Sequence, residues 1–155
     1  MPGLIQRLFA SSPNPGIPEI HANKSRQPRV LAVTADLCFY SGVLSAASSA
    51  RWRTDWARTL NRAVEMCRSK SPPIVIYDSN LPGVDWRSAF DRLSAVPSHP
   101  RILLAAPSID EELWENVLRR HGYDVVERAA NSEQLERVFR FAWLSLPTPA
   151  RTARA

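Results

Sequence analysis

The residue best placed to do chemistry is Asp78. It ends the apolar run Ile74-Val-Ile-Tyr and is followed at once by the turn sequence Ser79-Asn-Leu-Pro-Gly83. A carboxylate on the rigid end of a buried strand can act as a nucleophile, hold a metal ion, or simply accept hydrogen bonds from the turn amides beside it. Asp36 and Arg128 are the other charged residues that follow apolar runs, after Arg29-Val-Leu-Ala-Val and Tyr123-Asp-Val-Val-Glu. An arginine near a carboxylate offers a fork of N–H donors that fits either that carboxylate or a phosphoryl group. His21, His99 and His121 stand alone, with no partner at metal-ligand or triad spacing. No GxSxG, Walker loop, GxGxxG or HExxH occurs. The loop Ala35-Asp-Leu-Cys-Phe-Tyr-Ser-Gly42 lacks the hydroxyls and glycines that a flavin phosphate would want.

These residues have to be positioned by short elements that alternate along the chain. Strands are predicted at Arg29–Thr34, Arg51–Trp56, Ile74–Tyr77, Ile102–Ala106 and Tyr123–Glu127. Helices are predicted at Leu37 to about Ser48, Arg58–Lys70, Trp86–Leu93, Ile109–His121 and Ser132–Leu146. Asp85 and Ser108 are the expected N-caps of the third and fourth helices, and Gly122 is the expected stop of the fourth. The last helix carries Leu135, Val138, Phe139, Ala142, Trp143 and Leu146 on one stripe.

Near-continuous Ile/Val/Leu runs indicate strands covered on both faces, hence a parallel sheet. Right-handed crossovers then give an α/β, flavodoxin-like, doubly wound (βα)5 three-layer sandwich with strand order 2-1-3-4-5. In such a sheet, function gathers where the carboxyl ends of the first and third strands part, and this puts Asp78 at the switch point.

Bulk properties bound the rest. The 155 residues suit one domain with tails: a linker at 1–28 rich in Pro, Ser and Asn, a body at 29–146 and a loose tail at 147–155. Residues 1–29 carry four basic residues against Glu19, or +3, and residues 147–155 add Arg151 and Arg154, or +2. The net +5 therefore lies in residues 1–29 and 147–155, and residues 30–146 are neutral with 14 charges of each sign. DNA binding by the body has little support. No apolar run approaches the ~20 residues of a membrane span. Two cysteines, Cys38 and Cys67, without a CxxC, fit a reducing cytoplasm.

The stretch Ile74-Val-Ile-Tyr-Asp-Ser-Asn-Leu-Pro-Gly-Val-Asp85 resembles the phosphoacceptor strand and loop of response-regulator receiver domains, the CheY-like superfamily. Arg62-Ala-Val-Glu-Met-Cys-Arg-Ser-Lys-Ser-Pro-Pro73 is similar to the approach to that strand. His121-Gly-Tyr-Asp-Val-Val-Glu-Arg-Ala-Ala-Asn-Ser-Glu-Gln-Leu135 is similar to the family's fifth strand and last helix.

The resemblance implies a stand-alone signalling domain of a two-component or phosphorelay pathway, bacterial and cytoplasmic, acting by protein contact rather than as an enzyme, with its output in trans. It puts Asp78 at the phosphoacceptor position. The Asn80 carbonyl is then a Mg2+ ligand, and Ala105, Val125 and Arg128 stand at the switch positions. The acidic metal pair falls on Thr34 and Ala35, and Asp36 comes one residue late. Mg2+ binding is accordingly expected to be weak or absent, the receiver is expected to be degenerate, and Arg128 is expected to reach Asp78 directly. The implied partners are a histidine kinase or phosphotransfer protein, or a downstream protein bound through the face of the fourth helix, fifth strand and fifth helix, where Trp114 and Phe141 are to be watched. A homodimer through that face is a further expectation. A different class of reading keeps a small flavodoxin-like enzyme or ligand-binding domain that uses Asp78 and Arg128.

Overall fold

In a computed structural model, residues 28–147 are described, so the expectations for residues 1–27 and 148–155 lie outside them. Five strands and five helices alternate: β1 (Arg29–Val33), α1 (Leu37–Ser49), β2 (Arg53–Ala57), α2 (Leu60–Lys70), β3 (Ile74–Asp78), α3 (Trp86–Ser94), β4 (Arg101–Ala106), α4 (Glu111–Arg119), β5 (Asp124–Glu127) and α5 (Ser132–Leu144). All strand pairs are parallel, in the order β2-β1-β3-β4-β5. The flavodoxin-like architecture read from the apolar runs is the one present.

The alternation of strand side chains divides the interior into two cores. Val30, Ala32, Ile74 and Ile76 meet Phe39 and Val43 of α1 and Leu135 and Phe139 of α5. Leu31, Val33, Val75 and Tyr77 meet α2, α3 and Val117 of α4. β3 lies mid-sheet and is buried at all five positions, which fixes the backbone that carries Asp78.

Several boundaries differ from the sequence reading, each for a local reason. β2 begins at Arg53 rather than Arg51. Arg51 takes a left-handed φ of 62°, and the Trp52 amide turns back to the Ala47 carbonyl to close α1. α2 starts at Leu60, because the Thr59 hydroxyl accepts from the Arg62 amide and caps it there. α4 is capped by Asp110, not Ser108, through the Leu113 amide at 2.8 Å, so it starts two residues later than expected. Asp85 stands at the N-cap of α3 but makes no side-chain cap bond; its carboxylate faces Arg87 at 3.3 Å instead. Gly122 follows α4 as expected, yet the left-handed residue is His121, with φ 69°. The glycine is needed for another reason: a Cβ there would collide with Val117 and Phe90.

Candidate functional site

The carboxyl ends of β1, β3 and β5 bring three charged side chains together. Asp78 closes β3, and its side chain is 2% exposed. Arg128 is placed just past β5 by its own amide, which donates to the Ala106 carbonyl at 2.8 Å and extends the β4–β5 ladder by a step. Its guanidinium then turns back over the sheet. Nε donates to Asp78 Oδ1 at 2.7 Å and Nη2 donates to Asp78 Oδ2 at 3.0 Å. This is the two-pronged geometry in which arginine binds carboxylates most strongly. Nη2 also donates to Asp36 Oδ2 at 2.8 Å, and the guanidinium carbon lies 5.4 Å from the centre of the Phe39 ring.

Two neutral donors complete the shell of Asp78. The β1–β3 register pairs Val33 with Tyr77, so the next residue, Thr34, stands beside Asp78. The wholly buried Thr34 hydroxyl donates to Asp78 Oδ2 at 2.6 Å and accepts from the Asp36 amide at 3.0 Å. The Asn80 amide donates to Asp78 Oδ1 at 2.9 Å. The backbone around it is held too, since the Leu81 amide bonds the Asp78 carbonyl and the Ser79 amide bonds the Ala105 carbonyl. Each carboxylate oxygen of Asp78 therefore accepts two hydrogen bonds, which uses the roughly four lone-pair positions an ionised carboxylate has.

Asp36 serves two elements at once. Its Oδ1 caps α1 by accepting from the Cys38 amide at 2.9 Å, while Oδ2 holds Arg128. The Arg128 guanidinium, and after it the Cys38 amide, hold the Asp36 carboxyl below the usual carboxylate range. Arg128 in turn is pushed further up by its bonds to Asp78, against the opposing effect of its own burial. Thr34 is anchored from behind, where the Trp56 indole N–H donates to its carbonyl at 2.8 Å. Trp56 is itself stacked on Tyr40 at 4.2 Å and nearly parallel, with Arg58 4.6 Å over its ring.

Ala105 lies directly beside Asp78 in the β3–β4 register and is fully buried. It presents a methyl group where a hydroxyl would be needed to read a phosphoryl oxygen. Val125 lies in β5 with its side chain in the core shared with α3 and α4. Ala35 is exposed at the mouth of the site.

Thr34 as a donor and Asp36 as a partner of Arg128 are the two contacts that reading for anionic metal ligands overlooked. A signal for each was present. A hydroxyl one step past β1 falls next to the residue that ends β3, and an aspartate just before a helix is a natural N-cap, held close to the strand ends.

Mg2+ requires near-octahedral oxygen ligation and is usually held by one or two carboxylates. Asp78 and Asp36 are the two carboxylates that hold the guanidinium at this end of the sheet. A divalent cation that reached either would meet a positive charge already within hydrogen-bond range of both. Among the described residues no group of three or more His, Cys, Asp or Glu side chains is gathered to hold a metal. The donor set in this arrangement does not fit Mg2+.

No protein-family model matches the chain, and no curated protein matches it. Solved structures do. A response regulator from Thermotoga maritima superposes with a TM-score of 0.71 at 16% identity, over 77% of this chain and 99% of that one. A two-component response regulator from Clostridium difficile gives 0.71 at 15% identity, over 79% and 100%. The beryllofluoride-activated NtrC4 receiver domain, solved as a dimer, gives 0.69 at 16% identity, over 75% and 96%. These chains are covered almost end to end, so the match takes in the whole architecture and not a shared βα unit. The body of this protein has the fold of response-regulator receiver domains.

Proposed function

We propose that the chain is a receiver-type domain of two-component signalling that works without phosphorylation, as a pseudo-receiver, with Asp78 at the phosphoacceptor position. The observation that carries this reading is the closed shell of Asp78, with two donors on each oxygen and a guanidinium bridging it to Asp36. To form an acyl phosphate, a carboxylate oxygen must present a free lone pair to phosphorus while the donor's leaving group departs. Charge on the transferring phosphoryl must be neutralised as it moves, normally by metal and a cationic side chain. Here the cationic side chain is already bound to the nucleophile. Thr34 and Ala35 supply no anionic ligand, and Ala105 supplies no hydroxyl. The guanidinium occupies the place of both metal and phosphoryl group and links the ends of β1, β3 and β5.

Signalling then falls to protein contact on a surface whose shape does not wait for a phosphoryl group. The α4–β5–α5 face supplies one, with Trp114, Leu118, Phe141 and Leu144 all exposed. Its partner is a histidine kinase, a phosphotransfer protein, a downstream protein or a second copy of the chain. Among the described residues no helix is long and apolar enough to cross a membrane. A cytoplasmic setting suits Cys38 and Cys67, which are both free thiols. The same closed shell speaks against an enzyme or small-molecule site that uses Asp78 as its reacting group, because both of its oxygens already accept two hydrogen bonds.

The test is incubation with acetyl phosphate, and separately with beryllofluoride, at millimolar Mg2+, with Asp78→Asn as control. Intact-mass measurement and amide NMR are expected to show no adduct and no shift at the β3 end in either protein. An Asp78-dependent phosphoryl adduct would overturn the pseudo-receiver reading while leaving the receiver reading standing.

A further inference from the structure

The opposite end of the sheet, where β1 and β2 begin, carries a charge arrangement that the fold itself does not explain. The register pairs Arg29 of β1 directly with Arg53 of β2. Neighbouring strands lie about 4.8 Å apart, so two like charges are set side by side, an arrangement that disfavours the pairing. Lys70, in the last turn of α2, adds a third positive charge, and among the described residues Asp55 is the only carboxylate lining the same cavity of about 580 Å3. Three cations against one anion leave +2 there.

Asp55 organises this cluster without neutralising it. Its Oδ2 accepts from Arg29 Nη1 at 2.9 Å and its Oδ1 from Lys70 Nζ at 3.4 Å, and its side chain is only 16% exposed. Arg29 and Lys70 are thus pre-positioned, each with most of its N–H donors unused. Arg53 has no ion-pair partner among the described residues. One backbone donor joins them. The Arg53 amide bonds the Pro28 carbonyl and the Ala57 carbonyl takes the Thr34 amide. Odd-numbered residues of β2 therefore bond inward to β1, and the Thr54 amide points to the outer edge of the sheet, beside the cavity it lines.

We infer that this cluster is a binding site for a phosphate-class anion, an inorganic or ester phosphate carrying at least two negative charges. Two guanidinium forks, an ammonium and an edge amide converge on one polar cavity. Forks of this kind match tetrahedral oxyanions, and a dianion would balance the +2 and relieve the Arg29–Arg53 repulsion. The site lies about 15 Å along the strands from Asp78 and does not depend on the role given to that residue.

The experiment is a titration of the full chain with inorganic pyrophosphate, and in parallel with inorganic phosphate, at neutral pH and about 0.15 M salt. It is followed by amide NMR and calorimetry. Saturable one-to-one binding is expected to move the Arg29, Arg53, Thr54 and Lys70 amides and to leave Asp78 and Arg128 in place. Arg53→Gln with Lys70→Gln should weaken binding about tenfold or more. Asp55→Asn should strengthen it severalfold, since it removes the anion's internal competitor. Arg53→Gln alone removes an exposed, unpaired side chain, so it reports on binding even where the Asp55 variant loosens the strand ends. The proposal fails on any of three results: no saturable shift at millimolar anion, binding of equal strength in the double variant, or shifts centred on Arg128. Binding of equal strength in the double variant would assign the anion to the basic tails.

Discussion

The two ends of one parallel sheet treat charge in opposite ways. At the carboxyl ends, one guanidinium meets two carboxylates, and every acceptor position on the buried one is filled. At the amino ends, three cations surround one carboxylate, and among the described residues most of their donors have no partner. Arginine appears at both, so the difference does not lie in residue type. It lies in which partner is buried. A carboxylate that is 2% exposed must have its lone pairs satisfied inside the protein or it destabilises the fold. Cations at a solvent-facing rim can use water until a ligand displaces it. The first arrangement is structural and closed, and the second is open to exchange.

The largest effect that separates the two ends is on stability. Arg128→Ala would strand Asp78 as a buried anion with only Thr34 and Asn80 donating to it. Breaking a buried pair from one side usually costs about 3–5 kcal/mol; with the Arg128 side chain 21% exposed, we expect about 2–4 kcal/mol. Arg53→Ala removes a like-charge neighbour and should lie within about 0.5 kcal/mol of the parent, or raise stability slightly. Urea denaturation of both variants reads this directly. Equal losses would erase the distinction between a closed and an open end.

A smaller effect sharpens the contrast within β3 itself. Tyr77 precedes Asp78 and is just as buried, yet its hydroxyl has no hydrogen-bond partner among the described residues. Its ring meets Phe90 edge-on at 6.1 Å. Burial, and then the negative charges of Asp78 and Asp85, push the phenol up to about 12. A folded value above the unfolded one of about 10 favours the neutral phenol in the native state. That contribution is complete below pH ~10 and is lost as pH rises through the folded value. Tyr77→Phe should therefore raise stability at neutral pH by about 1 kcal/mol and flatten its decline above pH ~10. Loss of stability on this change would mean that the hydroxyl is bonded in solution.

The contrast also explains what was legible in the sequence. The apolar runs Leu31–Val33, Ile74–Tyr77 and Ile102–Ala106 set strands, burial and strand order, because burying both faces leaves no freedom in composition. Asp78 was legible because a charge at the end of such a run must be answered by something. The identity of the answer was only half visible. Arg128 could be expected from its place after β5, but Thr34 could not while it was regarded as a missing acid rather than as a hydroxyl beside Asp78. Asp36 was hidden by its one-residue offset, which the N-cap geometry of α1 absorbs. The ends of α2 and α4 were missed for a similar reason. Thr59 and Asp110 compete with nearby polar residues for the cap, and backbone angles decide between them. The amino-end cluster depends on the β1–β2 register, which places Arg29 against Arg53 and which no local pattern reveals.

The smallest effect tests whether the guanidinium truly bridges both carboxylates. Asp36 is half-exposed, so its pairing adds little stability, but its titration should report the contact. The Arg128 bond, followed by the Cys38 amide, lowers its folded value below the ordinary ~3.9 of an unfolded aspartate. A lowered value means that the contribution is present above pH ~3.9 and disappears as pH falls through the folded value. Carboxyl NMR of the parent should place the Asp36 midpoint below that of an ordinary aspartate. In Arg128→Ala the midpoint should rise toward it, with the Cys38 amide keeping part of the shift. In Arg53→Ala it should not move, because the amino-end charges lie well beyond a Debye length of ~8 Å at physiological salt. An Asp36 midpoint indifferent to Arg128 would reduce the bridge to a single pair between Arg128 and Asp78. The carboxyl end of the sheet would then hold one free carboxylate at its mouth and would no longer be closed.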